Sequence, residues 1–224
     1  MVKLSPDNQN SGWQAGYDPI FETIGCFSHI HEWTMAGLGL MPTNGPLVTE
    51  IGDERNPDKG YRSRINAETE EAPLGYYKAE LTDYGISAEL TATTRCGFQR
   101  YTFPRDKEGS RVLIDLQVPA EYSYKLEEVR IEKTAENRIE GYSKQHTPNT
   151  WSGGISQEYT VHFVVEFDRP IKKTGFWTEK GTVGDVSLLE AHSPDDAGAF
   201  VEFDTGDDPV VQVRSAISYV SLEN

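Results

Sequence analysis

The residues of this chain that are best equipped for chemistry stand close together, in the stretch 26–34. It reads Cys-Phe-Ser-His-Ile-His-Glu-Trp-Thr, so it holds two imidazoles, a carboxylate and an indole side by side. In an extended chain, side chains two positions apart point to the same side, which would bring His29, His31 and Trp33 together. An indole face packs on the C–H face of a sugar, while imidazole and carboxylate groups bond its hydroxyls. We therefore predict that His29, His31, Glu32 and Trp33 bind a sugar.

Two other interpretations of this stretch stay open. In one, Trp33 belongs to the core and the histidines satisfy buried backbone groups. In the other, Cys26, His29 and His31 bind zinc, but structural zinc sites take four ligands and no second ligand pair is present. The chain has two cysteines, Cys26 and Cys96, which can pair only if their Cα atoms come within about 7 Å; otherwise they stay free thiols.

Other motifs carry less chemistry. The glycine-rich stretch 37–46 lacks the Gly-Lys-Ser/Thr of a phosphate-binding loop. The adjacent aspartates at 195–196 and at 207–208 are typical of solvated turns, and nothing in the sequence marks either pair as a catalytic acid and base. We predict no catalytic residue and no metal ligand within the chain.

Composition limits the class of protein. The 224 residues suffice for one large domain, and 37% hydrophobic residues can form a core. The net charge of −15 argues against nucleic acid and anionic membrane surfaces as partners, and no apolar stretch is long enough for a transmembrane helix. No signal peptide is visible, and both ends look cut, so we expect residues 1–224 to be a single domain truncated at both ends.

Alternation of apolar and polar residues with period two dominates from residue 76 onward, and no amphipathic helix of ten residues occurs. This pattern predicts an all-β fold, a large antiparallel β-sandwich with few or no helices. The first 70 residues alternate little and are predicted to be largely irregular, which favours a functional role for them. The predicted strands cover residues 76–81, 86–94, 98–103, 112–116, 129–133, 138–142, 157–167, 176–177, 186–189, 199–203 and 210–220.

Short segments spread along the chain resemble, in order, the N-terminal domain of glycoside hydrolase family 92. They include Phe-Ser-His-Ile-His at 27–31, Leu-Met-Pro-Thr at 40–43 and Leu-Thr-Asp-Tyr-Gly-Ile at 81–86. Further similar segments are residues 1–7, 75–77, 88–93, 100–104, 139–142, 166–167 and 217–221. One departure is that many members continue with Leu-Ser-Gly where this chain has Glu32-Trp33-Thr34.

The resemblance implies a supersandwich of the galactose-mutarotase type packed on a C-terminal (α/α)6 catalytic domain, which this chain lacks. Family members are calcium-dependent, inverting exo-α-mannosidases, in which one carboxylic acid protonates the leaving oxygen and a carboxylate activates water. Those carboxylates, and most calcium ligands, lie in the helical domain. The resemblance further implies α-mannosides or other glycans as partners and a secreted or periplasmic parent protein. Trp33 would stack on the leaving-group sugar, beside His29, His31 and Glu32.

Three hypotheses follow. In the first, the chain is half of an α-mannosidase, inactive alone, with a flat apolar face where the helical domain docks. In the second, it is a free-standing carbohydrate-binding module that uses Trp33, Trp151 or Trp177. In the third, it is an interaction domain without a ligand, in which Trp33 is buried and the histidines bond to the backbone.

Overall fold

A computed structural model describes residues 3–8, 16–32, 34–148 and 153–223 of the chain. Apart from one 3₁₀ turn at Ala67–Thr69, the regular elements in these ranges are β-strands, which confirms the all-β prediction. The strands are β1 Ser5–Asp7, β2 Thr23–Ile24, β3 Cys26–Ser28, β4 His31–Glu32, β5 Met35–Ala36, β6 Gly39–Thr43, β7 Ser63–Arg64, β8 Tyr77–Leu81, β9 Ile86–Ala92, β10 Gly97–Thr102, β11 Arg111–Asp115, β12 Lys125–Ala135, β13 Arg138–Thr147, β14 Gln157–Phe167, β15 Lys173–Thr178, β16 Gly181–Gly184, β17 Leu188–His192, β18 Ala197–Glu202 and β19 Val210–Ser218.

Two large antiparallel sheets make up the domain. One has seven strands in the order β1-β3-β6-β11-β18-β15-β16, and the other has eight in the order β17-β12-β13-β14-β19-β10-β9-β8. The short strands form two separate pairs, β2 with β7 and β4 with β5. Aromatic contacts join the large sheets: the rings of Phe27 and Tyr101 stack with centroids 6.1 Å apart. The predicted sandwich is therefore confirmed.

Alternation produces the eight-stranded sheet. In β14, Val161, Phe163, Val165 and Phe167 are buried, the last three of them in one continuous apolar core, and the residues between them are half-buried. This strand has the predicted bounds. Its neighbours β13 and β19 pair with it in antiparallel register and repeat the pattern. The inner face of this sheet is thus apolar and its outer face polar, as one-sided burial requires.

The first 70 residues contain seven short strands, which the sequence did not predict, but these strands hold only 19 residues and the rest of the described part of this region is irregular, as predicted. The longest, β6, runs through the seven-stranded sheet between β3 and β11, and all five of its residues are buried. A strand buried on both faces has no polar side, so it leaves no alternation for the sequence to display. The other six have only two or three residues each, too few to establish a period.

The two cysteines do not pair: Cys26 is buried and free, and Cys96 is half-buried and free. Trp177 is fully buried, so it is a core residue and not an exposed binding aromatic, whereas Trp33 and Trp151 lie outside the described residues. No helix in the described ranges has the length and apolar character needed to cross a membrane.

Candidate functional site

His29 lies between the sheets and not at the surface. It follows β3, its side chain is fully buried, and its Nδ1 is 3.1 Å from the carbonyl oxygen of Leu38. Since a carbonyl only accepts, Nδ1 carries the proton and Nε2 accepts from the Ser215 hydroxyl, 2.6 Å away. Burial lowers the pKa of His29 to about 4, only partly offset by the bond to Leu38. The imidazole is therefore neutral and occupied on both sides.

The bond to Ser215 extends into a buried chain of hydrogen bonds. Ser215 Oγ accepts a hydrogen bond from the side-chain Nε2 of Gln99 at 3.4 Å. The Oε1 atom of Gln99 in turn accepts from the Tyr101 hydroxyl. Ser215 and Gln99 belong to the eight-stranded sheet, whereas His29 follows a strand of the seven-stranded sheet. The chain thus ties the two layers of the sandwich together at polar positions within an apolar core.

His31 lies among carboxylates. Its Nδ1 is 2.5 Å from Asp7 Oδ2, its Nε2 is 3.5 Å from Glu121 Oε2, and its side chain is 2% exposed. Burial alone would lower the pKa of His31, but the hydrogen bond to Asp7 and the charges of Asp7 and Glu121 outweigh it, so the pKa is raised. The Oε2 atom of Glu121 is buried and has no hydrogen-bond partner among the described residues. A cationic His31 between two carboxylates accounts for this arrangement.

The two histidines do not share one side of an extended strand, because β3 ends at Ser28 and β4 begins at His31. Glu32, in contrast, is exposed at the tip of the β4–β5 hairpin, next to Trp33, which lies outside the described residues. Thr34, on the far side of this tip, holds the hairpin in place: its hydroxyl donates to Gln157 Oε1 at 2.9 Å. Of the predicted set, Glu32 is therefore the described residue that faces solvent.

A cleft of about 560 Å³ adjoins this segment. Ile30 forms part of its wall, together with Cys96, His162 and Tyr219. Tyr219 is 45% exposed, and its ring meets Tyr159 edge-on at 6.4 Å. Burial raises the pKa of Tyr219 to about 12, and the negative charge of Glu32 contributes to the increase. The cleft thus presents a partly exposed phenol beside the imidazole of His162, groups that can stack on and hydrogen-bond a sugar ring.

Sequence reasoning did not identify Tyr219 or His162 as site residues. Both lie far along the chain from residues 29–33, and only pairing between β14 and β19 brings them together: His162 pairs with Ser218, next to Tyr219. The signal that was present was the resemblance of segment 217–221 to the family, which did not indicate its position relative to Glu32.

A second cluster was missed because its members looked like ordinary turn residues. Asp196, predicted to be solvated, is half-buried and accepts a hydrogen bond from Trp177 Nε1 at 3.1 Å. It lies close to the fully buried Asp115, whose Oδ2 accepts from the Tyr61 hydroxyl at 2.5 Å. Burial and then the charge of Asp196 raise the pKa of Asp115 to about 7, and burial also raises the pKa of Asp196. The prediction of solvated turn formers is wrong for Asp196.

Comparison with known families agrees with this architecture. Residues 1–218 match the family described as the glycosyl hydrolase family 92 N-terminal domain. The chain belongs to this family. The resemblance inferred from short motifs is confirmed over nearly the whole chain. A search of curated proteins found no match.

Solved structures of family 92 enzymes share the fold. The α-mannosidase BT3965 from Bacteroides thetaiotaomicron, solved in complex with mannoimidazole, is 27% identical and superposes with a TM-score of 0.85 over 99% of this chain. The inverting mannosidase BT2199 from the same organism, at 19% identity and a TM-score of 0.76, shares the fold over 100% of this chain. The family 92 glycosyl hydrolase ccman5 is 21% identical and shares the fold with a TM-score of 0.75 over 99% of this chain. This chain spans 29% of BT3965, 28% of BT2199 and 29% of ccman5.

Proposed function

We propose that this chain is the N-terminal domain of an exo-α-mannosidase and that it forms one wall of the outer sugar subsite. The observation that carries the proposal is the superposition of 99% of the chain on 29% of the α-mannosidase BT3965. In this proposal a C-terminal helical domain, which supplies the acid and base of an inverting reaction, covers the wall. The parent protein acts on glycans outside the cytoplasm, and the domain alone does not hydrolyse them.

The wall of the subsite is the cleft beside the β4–β5 hairpin. Glu32 is exposed on β4 of this hairpin, and Tyr219 presents a partly exposed ring in the cleft, with a pKa that the charge of Glu32 helps to raise. We propose that Trp33, the next residue in the sequence, stacks on the leaving-group sugar, while Glu32 bonds its hydroxyls. In this proposal His29 and His31 do not contact the sugar and act by positioning the hairpin. With both nitrogens of His29 engaged and His31 held by Asp7, they fix the backbone from which the hairpin projects.

Within the described ranges, no group of three or more His, Cys, Asp or Glu side chains is placed to hold a metal ion. Calcium prefers six to eight oxygen ligands, mostly carboxylates and carbonyls. From the family resemblance, we propose that the calcium ligands of the parent enzyme lie mostly outside this chain.

The division of labour can be tested with 4-nitrophenyl α-D-mannoside. We expect the 224-residue chain to give no turnover, and a polypeptide that also contains the helical region to give turnover that EDTA abolishes. Hydrolysis by the 224-residue chain alone would refute the proposal that it lacks the catalytic carboxylates.

The subsite can be tested in the longer polypeptide with Glu32→Ala, using Glu108→Ala, an exposed glutamate in another loop, as the matched control. We expect Glu32→Ala to lower kcat/KM for an α-mannobioside roughly tenfold, the effect of one hydrogen bond to a charged group. The aryl mannoside, which has no leaving-group sugar, should be hydrolysed at an unchanged rate. Equal losses on both substrates would contradict a role in the outer subsite.

A further inference from the structure

A second cleft, of about 550 Å³, lies on the outer face of the eight-stranded sheet. It is separate from the hairpin: the residues that line it come from β9, β10 and β19 and from the segments beside β8 and β14. Its residues are Tyr76, Glu89, Leu90, Thr91, Phe98, Gln99, Arg100, Asp168, Gln212, Val213 and Arg214. None of the family segments or site predictions assigns a role to this cleft.

Phe98 is the unusual residue of this face. Its neighbours in β10 alternate between buried and exposed, and Phe98 takes an exposed position, with 37% of its surface accessible. An aromatic ring on an otherwise charged sheet face adds nothing to the core and costs solubility. In register, Phe98 lies opposite Thr91 on one side and Arg214 on the other. Polar groups therefore flank an accessible ring.

These polar groups are held rigidly by each other. The Arg100 guanidinium donates from Nε to Glu89 Oε2 at 2.6 Å and from Nη2 to Glu89 Oε1 at 2.5 Å. The Tyr76 hydroxyl donates to the same carboxylate at 2.7 Å. On the far side of Phe98, Arg214 is paired with Glu166. Planar donors and acceptors with fixed directions around an aromatic ring suit a ligand with many hydroxyl groups.

The charges exclude other ligands. Each arginine is already paired with a carboxylate, and Asp168 adds a further negative charge, so the cleft offers no net positive charge to an anion such as phosphate. A protein surface docking here would have to desolvate both ion pairs, which costs more than the small apolar area returns. A neutral sugar leaves the pairs intact, since its hydroxyls replace water one for one.

We propose that the Phe98 cleft binds a neutral pyranose unit of an oligosaccharide, with the sugar ring stacked on Phe98. Free N–H groups of Arg100 and the exposed side chain of Gln212 bond its hydroxyls. This site is independent of the outer subsite at Glu32 and goes beyond the proposed function, because it binds glycan without contributing to its hydrolysis.

The test uses the 224-residue chain and two neutral oligosaccharides, α-mannotetraose and cellotetraose, followed by ¹H–¹⁵N NMR and calorimetry. We expect saturable binding of at least one of them in the millimolar range, about −4 kcal/mol, with amide shifts centred on Thr91, Phe98 and Arg214. Phe98→Ala should weaken binding at least tenfold. Val183→Ala, a truncation at a 56% exposed position on the edge strand of the other sheet, should leave it unchanged.

In the oligosaccharide experiments, three outcomes would overturn the proposal. These are no saturable binding of either oligosaccharide, binding that Phe98→Ala leaves intact, or amide shifts that centre on Tyr219 instead of Phe98. The last would assign the affinity to the hairpin cleft and so separates the two sites. Because the shifts are mapped on the unmodified chain, the result stands even if a variant folds poorly. A titration with inorganic phosphate that shifts the same amides more strongly would refute the neutral-ligand assignment.

Discussion

Replacing Asp115 by asparagine should stabilise the domain at pH 8 and leave it nearly unchanged at pH 4.5. Asp115 is fully buried at the end of β11 and close to Asp196, and its two oxygens accept from the Tyr61 hydroxyl and the Gln117 amide. Asparagine has the shape of the protonated acid. Its oxygen can still accept from Gln117, and its amide can donate to the phenol oxygen of Tyr61.

The magnitude follows from linkage. Burial and the charge of Asp196 raise the pKa of Asp115 from 3.8 to about 7, so the folded state keeps a proton that the unfolded chain releases near pH 4. The stability contributed by this proton is present at acid pH and is lost as the pH rises through the folded pKa. One pKa unit corresponds to about 1.4 kcal/mol, so the loss between pH 4.5 and 8 amounts to about 3 kcal/mol. The Asp115→Asn variant does not lose this stability, because asparagine has no proton to release.

The assay is urea unfolding of the 224-residue chain at a series of pH values from 4.5 to 8. The control is Asp207→Asn, which removes the same charge from an exposed loop. The free energy of unfolding of Asp115→Asn, relative to that of the Asp207→Asn control, should rise by about 3 kcal/mol across this range. If the two variants changed in parallel with pH, or if Asp115→Asn lost stability at pH 8, a buried protonated carboxyl would be excluded.

Two further predictions concern packing and the buried polar chain. Ser215→Ala leaves the Nε2 atom of His29 and the Gln99 amide without their partner, so it should lower the free energy of unfolding by about 1–3 kcal/mol. The exposed control Ser187→Ala should change it by less than about 0.5 kcal/mol. Gly198→Ala places a Cβ 2.0 Å from Cζ2 of the buried Trp177 and should cost about 3 kcal/mol in urea unfolding. Gly184→Ala, whose Cβ would meet nothing nearer than 3.9 Å, should be close to neutral, and equal effects of the two alanines would contradict the packing argument.

The strands of the eight-stranded sheet could be predicted because one face of the sheet is exposed to solvent. β14 was found with its bounds intact, whereas β12 and β13 are longer than their predicted hairpin segments, 129–133 and 138–142. The register of their pairing shifts between Leu126 and Glu128 and again between Lys133 and Ala135. In β12 each such bulge reverses which parity faces the core, so the alternation stops before the strand does. In β13 burial alternates to the end, but the inward residues Ser143, Gln145 and Thr147 are polar. The strand β6 was not predicted for the opposite reason, because neither of its faces is exposed to solvent.

The residue types in segment 26–34 indicated where the candidate site lies, but they did not predict how its side chains are oriented. The segment 26–34 is next to a cleft, yet the direction of each ring depends on partners that local pattern cannot reveal. His29 is oriented by Ser215, 186 positions away, and His31 by Asp7, 24 positions back. Likewise, Asp115 and Asp196 come near each other only because β11 pairs with β18, the strand that Asp196 precedes.

The two buried histidines can support the proposed subsite without touching the ligand themselves. A hairpin of two-residue strands has little stability of its own, so its tip keeps a fixed position only if its base is held from below. His31 provides that hold through Asp7, and His29 anchors the preceding residues to the opposite sheet through Ser215. Glu32, which is exposed on this hairpin, can then be replaced without loss of the scaffold that supports it.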